Sequence, residues 1–79
     1  QEFQERISID PKVMVGKPVI RGTRIPVDLL VRMVAQGIPM GEIIDDYPNL
    51  HIEDIQAALW YAAALVSQDE VYPMHLVPA

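Results

Sequence analysis

The sequence predicts one mainly α-helical domain: three helices joined by short connections, preceded by a short N-terminal β-strand or hairpin element. Three observations predict it. Apolar residues recur at helical spacing in three separate windows, each closed by glycine or proline or opened by acids. Short alternating and β-branched pieces lie ahead of the first helical window. The chain has 79 residues, enough for one domain and no more.

The elements follow in order. Residues 1–6 are expected to be disordered or tag-derived, since the first residue is Gln rather than Met. Ile7-Ser8-Ile9 alternates like an edge strand, and Asp10-Pro11 breaks it. Val13 to Val15 is a short apolar run of undetermined type, followed by a turn at Gly16-Lys17-Pro18. Val19-Ile20 and Ile25-Pro26-Val27 are β-branched pieces flanking Arg21-Gly22-Thr23-Arg24. Gly22-Thr23 reads as the central pair of a type II′ hairpin, with Pro26 at its edge or exit because it has no donor.

The first long helix has Asp28 at its N-cap or first turn, and Leu29, Leu30, Met33 and Val34 on one face. Gly37 takes the usual left-handed stop position. A short second helix spans about Met40 to Asp46, with Ile43 and Ile44 inward. Pro39 is tolerated just inside its start, and Pro48 forbids its continuation. The third helix begins near Ile52, with Glu53 and Asp54 in its first turn and a stripe of Ile52, Ile55, Leu59, Ala62 and Val66. Trp60, Tyr61 and Leu65 lie off that stripe, so this helix is apolar nearly all round and calls for burial nearly all round. A second copy or a different protein against Trp60 and Tyr61 would supply it; the N-terminal strands are the alternative cover. The domain is expected to run from 7 to 66. Residues 67–79, SQDEVYPMHLVPA, are expected to be an extended tail. Val71, Tyr72, Met74 and Leu76 make it too apolar for a solvated one, so it should lie on its own domain or on a partner.

Composition removes several function classes. There is no cysteine, which excludes disulfides and fits a reducing, cytoplasmic setting. A domain this small buries roughly 60% of its unfolded surface, so oligomerisation is the remaining common support. The longest apolar run, Ala57 to Val66, is ten residues, against about 18 for a membrane span. His51 and His75 lack ligand spacing, so no metal or cofactor is expected. Asp45-Asp46, Glu53-Asp54 and His51 are the available catalytic candidates, and they form no nucleophile–base pair. A solvated acidic face is the better reading, and no enzyme is expected.

Net charge is −5, and the charge is sorted along the chain. From Lys12 to Arg32 there are five bases against one acid, Asp28; from Met33 onward there are seven acids and no Lys or Arg. Either the basic segment faces an acidic partner, or the two halves dock on each other. Arg21 and Arg24 sharpen the question. As cross-strand neighbours they would repel by about 1 kcal/mol at 4 Å in water. An anion gripped by both guanidinium forks reverses the sign. That anion is a carboxylate of this chain or its dimer mate, a DNA phosphate, or the acidic site of a partner; the bland alternative is that both arginines splay into solvent. With Lys17 and Arg32, they are the expected partner- or anion-binding set.

The three helices, the last two separated by Tyr47-Pro48-Asn49-Leu50-His51, look like a helix-turn-helix core. In that arrangement His51 and Gln56 are the DNA-facing candidates of the third helix. Glu53 and Asp54 beside them argue against ordinary groove readout, which leaves phosphate contacts from the basic segment. Trp60, Tyr61, Leu65 and Tyr72 are the expected interface residues.

These motifs resemble the domain-of-unknown-function family 433. They are Gly16-Lys17-Pro18, Ile20, the block Gly22-Thr23-Arg24-Ile25-Pro26-Val27, Gly37, Glu42-Ile43, Tyr47-Pro48-Asn49-Leu50, and Asp54-Ile55 through Ala57-Ala58-Leu59 to Tyr61-Ala62. The resemblance covers about Ile7 to Val66. The chain departs from the pattern at Ile38-Pro39-Met40, which offers no side-chain cap, at His51 where Thr is usual, and at Gln56 where a base is frequent. The resemblance implies a homeodomain-like trihelical core with an N-terminal β element. It further implies an antitoxin of the VapB type, one that binds and silences a PIN-like ribonuclease toxin whose active site is a carboxylate cluster, and that binds operator DNA as a complex. The alternative expectation is a homodimeric protein-interaction module with no nucleic-acid role.

Overall fold

A computed structural model describes residues 2–68. It is mainly helical, with a small antiparallel sheet near the N-terminus. Among the described residues there are four α-helices: α1 (Glu2–Glu5), α2 (Val27–Ala35), α3 (Met40–Asp46) and α4 (Ile52–Gln68). Two short strands, β1 (Ile7–Ser8) and β2 (Val19–Ile20), pair with Ile7 opposite Ile20 and Ser8 opposite Val19. Val19 also bridges Pro26, so β2 lies between β1 and the segment that leads into α2.

The start of the chain corrects one expectation. Residues 2–5 form a helical turn rather than a disordered lead, and Phe3 packs against the core. Its ring lies 6.3 Å from that of Trp60, tilted by 46°. One residue after the turn, Arg6 reaches Asp54 at 2.9 Å.

Val19 pairs with Pro26 at the expected register, but the turn falls one residue earlier than expected, centred on Arg21-Gly22 rather than Gly22-Thr23, and its type differs. The turn is Ile20–Thr23, closed by the Thr23 amide donating to the Ile20 carbonyl at 3.0 Å. Gly22 has φ +81° and occupies the third position, as a type II turn requires. The Thr23 hydroxyl decides this geometry. It donates to the Ile20 carbonyl at 2.7 Å and accepts from the Ile25 amide at 3.0 Å, bracing both sides of the bend. Arg21 is thereby placed on the corner. The run Val13 to Val15 leads into a single 3-10 turn, Met14–Gly16, in which Met14, Val15 and Gly16 all have positive φ.

Pro26 and Pro39 precede α2 and α3, and neither offers a side-chain cap. Asp28 sits in the first turn of α2, where the helix dipole favours a carboxylate. The far end of α2 is a Schellman motif: the Ile38 amide donates to the Met33 carbonyl at 3.1 Å and the Gly37 amide to that of Val34 at 2.9 Å. Gly37, at φ +85°, supplies the left-handed residue. Pro48 stops α3, and a five-residue connection leads into α4.

The core is Ile7, Ile20, Val27, Leu30, Ile43, Leu50, Ile55, Ala57 and Ala58. On α4 the buried face differs from the expected stripe. Asp54, Ile55, Ala57 and Ala58 are buried, whereas Ile52 and Val66 are exposed. Two alanines on this face let α2 approach closely, which larger side chains would prevent. α4 also runs through Gln68, so residues 67 and 68 are helical rather than part of an extended tail; 69–79 lie outside the described residues.

Candidate protein-interaction site

An apolar groove of about 420 Å³ opens between α2 and α4. Helical periodicity builds it. Val27 and Val31 stand one turn apart on α2, and Tyr61 and Leu65 one turn apart on α4, with Ala62 between them. The same period places Asp28 and Arg32 together along the outer edge of α2. Arg32 Nη2 lies 3.6 Å from Asp28 Oδ2, and Lys17 Nζ lies 3.9 Å from the same oxygen. All three side chains are at least half exposed, so these pairs contribute little to stability. They do set the character of the rim, with two cations on one carboxylate.

A second hollow, about 450 Å³, lies across α4, where Trp60 and Ala64 face Ile7 and Ile9. Tyr61 and Leu65 line both hollows and form the ridge between them. Leu65 is 48% exposed and Val66 is 70% exposed. The expected interface set is therefore brought together for three of its four residues. Trp60 and Tyr61 are half-buried and Leu65 is open to solvent; Tyr72 lies outside the described residues. The alternative cover is present in part, because α1 lies against α4 and Phe3 shields one face of Trp60.

The basic set divides. Lys17 and Arg32 meet at the groove, but Arg21 and Arg24 do not make a vacant anion cradle. Arg21 is turned onto its own chain: Nε donates to the Glu5 carbonyl and Nη2 donates to that of Ile7, at 3.1 Å. The reason is local. The type II corner points Arg21 at the end of α1, where carbonyls lack helical partners and a cation is welcome. Arg24 is exposed beside a hollow lined by Ser8, Val13 and Thr23, and makes no hydrogen bond or ion pair among the described residues.

His51 and Gln56 are both exposed. The surface around them is acidic: Glu42, Asp45, Asp46 and Glu53 are exposed, and α3 and α4 contain no Lys or Arg. Such a surface repels phosphate.

Asp54 is the functional-looking acid that turns out to be structural. It is 5% exposed. One carboxylate oxygen pairs with Arg6 and the other accepts the His51 amide at 2.9 Å. The second contact is half of a capping box, with Asp54 at the third helical position reaching back to the residue that precedes α4. An acid three residues after the cap was the sequence signal for it; nothing local signalled Arg6. Among the described residues no group of His, Asp and Glu could hold a metal ion, and no helix is long and apolar enough to cross a membrane.

Known proteins resemble this chain over stretches from 37% to 86% of its length. A crystal structure of a DUF433 member protein from Anabaena variabilis matches it with a TM-score of 0.74 and 43% identity, covering 86% of this chain and 67% of that one. An uncharacterized protein of Archaeoglobus fulgidus is 72% identical over 29 residues, which is 37% of this chain and 81% of that protein. The uncharacterized protein y4eO of Sinorhizobium fredii is 36% identical over 61 residues; the match takes 77% of this chain but spans only 28% of y4eO. The model of one family, described as "Protein of unknown function (DUF433)", matches residues 7–62. That span runs from β1 through the buried half of α4, and the chain belongs to the DUF433 family.

Proposed function

We propose that the protein is an antitoxin-like regulator that acts by binding: it holds a PIN-like ribonuclease against the apolar face formed by α2 and α4. The observation that carries this reading is the pair of hollows on either side of the Tyr61–Leu65 ridge, with Lys17 and Arg32 at one edge. Apolar surface of this kind, rimmed by charge, marks protein-binding sites. A cationic rim suits a nuclease whose active site gathers carboxylates. In this reading the protein performs no chemistry of its own and works in the cytoplasm with its partner. Operator DNA is bound only by the complex, because the α3–α4 surface is acidic.

The test is co-expression with a candidate PIN-like nuclease, followed by co-purification and an RNA-cleavage assay. A stable complex with suppressed cleavage is expected, and Leu65→Glu should release the nuclease. Undiminished cleavage at saturating protein, with no complex formed, overturns the reading. The second reading is a homodimeric module without nucleic-acid binding. The exposure of Leu65 and Val66 on α4 favours it, because a second copy could cover them. It predicts a dimer in light scattering that Leu65→Glu converts to monomer, with no partner present.

A further inference from the structure

We propose that the hollow framed by Ser8, Val13 and the turn Ile20–Thr23 binds a small aliphatic monocarboxylate, with Arg24 gripping its charge. The hollow measures about 430 Å³ and is lined by Ser8, Val13, Val19, Gly22, Thr23 and Arg24. It shares no lining residue with the two hollows beside α4, so it is a separate site. Pockets for small organic ligands have this make-up: roughly 300–1,000 Å³, apolar walls and a few polar groups.

Two of its polar groups are unspent. Arg24 is exposed and makes no hydrogen bond or ion pair among the described residues. The Ser8 side chain is half-buried and has no hydrogen-bond partner among them either. A hydroxyl in that position has a donor to give, and a guanidinium can give a carboxylate two parallel hydrogen bonds. Thr23 differs, because its hydroxyl is engaged on both sides of the turn; it serves as wall.

The walls select the class of anion. Val13 and Val19 present hydrocarbon, against which a strongly hydrated ion would have to shed its water. Arg24 is the single charged residue in the described lining, so one negative charge is matched and a second is not. A carboxylate with a short aliphatic group meets both conditions. The walls are also set before a ligand arrives. Val19 is 2% exposed and pairs with Ser8 on one side and Pro26 on the other. The Val13 amide donates to the Asp10 carbonyl at 2.8 Å, and the Val13 carbonyl accepts from the Gly16 amide at 3.0 Å. Met14 and Val15 follow it in left-handed backbone, at φ +51° and +56°. Strain of that kind gathers where a loop must present a ligand contact.

The test is a titration of the full ¹⁵N-labelled chain with isovalerate, read from amide shifts at a constant ionic strength of about 0.1 M. Saturable shifts are expected at Ser8, Val13, Gly22 and Arg24, and none at Val31 or Ala62 in the α2–α4 groove. A dissociation constant of about 1 mM lies within the ceiling for so small a ligand. Affinity should rise about two- to fourfold per methylene from acetate through propionate to butyrate. Arg24→Gln should weaken isovalerate about tenfold or more without moving the unfolding midpoint, and Ser8→Ala about threefold. Shifts that fail to saturate, full binding by folded Arg24→Gln, or equal shifts from inorganic phosphate would each overturn the proposal. Acetylglycylvaline presents the same group at a peptide end. If it binds as tightly as isovalerate, the hollow takes chain termini; if isovalerate alone binds, it takes free acids. Both results uphold the carboxylate chemistry. No nuclease is present in any sample, so the outcome is independent of the antitoxin reading.

Discussion

Replacing Arg6 by methionine should lower the stability of the fold by about 2 kcal/mol. Removing one partner of a fully buried ion pair costs about 3–5 kcal/mol, because a charge is left without its counter-ion. Here the discount is legible in the geometry. The Arg6 side chain is 30% exposed, so part of its attraction to Asp54 is already screened. The abandoned carboxylate keeps the His51 amide at 2.9 Å and stays in the first turn of α4, where the dipole contributes about 0.3–1 kcal/mol. Methionine retains the apolar stem, so lost packing adds little. A chain of 79 residues has a total stability of about 4–12 kcal/mol, so the change is large. It corresponds to a fall in Tm of about 8–16 °C. Urea unfolding followed by circular dichroism measures it, for Arg6→Met, Asp54→Asn and the double variant. A coupling of about 1–2 kcal/mol is expected between the two sites. Additivity within about 0.5 kcal/mol would refute the claim that the pair fastens the N-terminal segment to α4.

Arg21→Ala should destabilise by about 1 kcal/mol through loss of the two bonds to the Glu5 and Ile7 carbonyls, whereas Arg24→Ala should change stability by less than about 0.5 kcal/mol. Equal thermal shifts for the two variants would contradict the division between them. Val15 is 95% exposed and holds φ +56° with a β-branched side chain; Val15→Asn, which tolerates that region, should stabilise by about 1 kcal/mol in chemical denaturation, and a loss would show that the left-handed backbone is not strained. Gly37→Ala should cost about 1 kcal/mol by forcing a side chain onto the left-handed end of α2, and an unchanged unfolding midpoint would mean that α2 ends differently.

The helices were legible because their signals are local. Periodic apolar residues, Gly37 after α2 and Pro48 after α3 each act within a few positions, and the structure places α2 and α3 where they point. The pairing of Val19 with Pro26 was legible for the same reason, but the opposition of Arg21 and Arg24 was not, because Arg21 sits on the corner of the turn. Nor was the position of the turn: Gly22 carries the positive φ either way, but at the third position of a turn centred on Arg21-Gly22 rather than the second of one centred on Gly22-Thr23. Both turns leave Val19 opposite Pro26, and the choice between them rests on the Thr23 hydroxyl and on the Glu5 and Ile7 carbonyls that hold Arg21, sixteen and fourteen residues before it. The Arg6–Asp54 pair spans 48 positions and leaves no local mark at its basic end. The buried face of α4 was misjudged because hydropathy ranks residues by size as well as polarity. Ala57 and Ala58 look unremarkable in a periodic pattern, yet their smallness is what lets α2 close on them. At the candidate site, the apolar ridge of Tyr61 and Leu65 was foreseen, whereas the meeting of Lys17 with Arg32 depended on where the turn before β2 comes to rest.

The ring contact between Phe3 and Trp60 has a practical corollary. Trp60 is the chain's sole tryptophan, so its fluorescence watches one place: the seam where the first helical turn touches α4. Gentle denaturant that red-shifts this emission while the far-ultraviolet helix signal holds steady would reveal the leading residues peeling away ahead of global unfolding. Superimposable curves from the two optical probes would mean that seam and core let go as one cooperative unit.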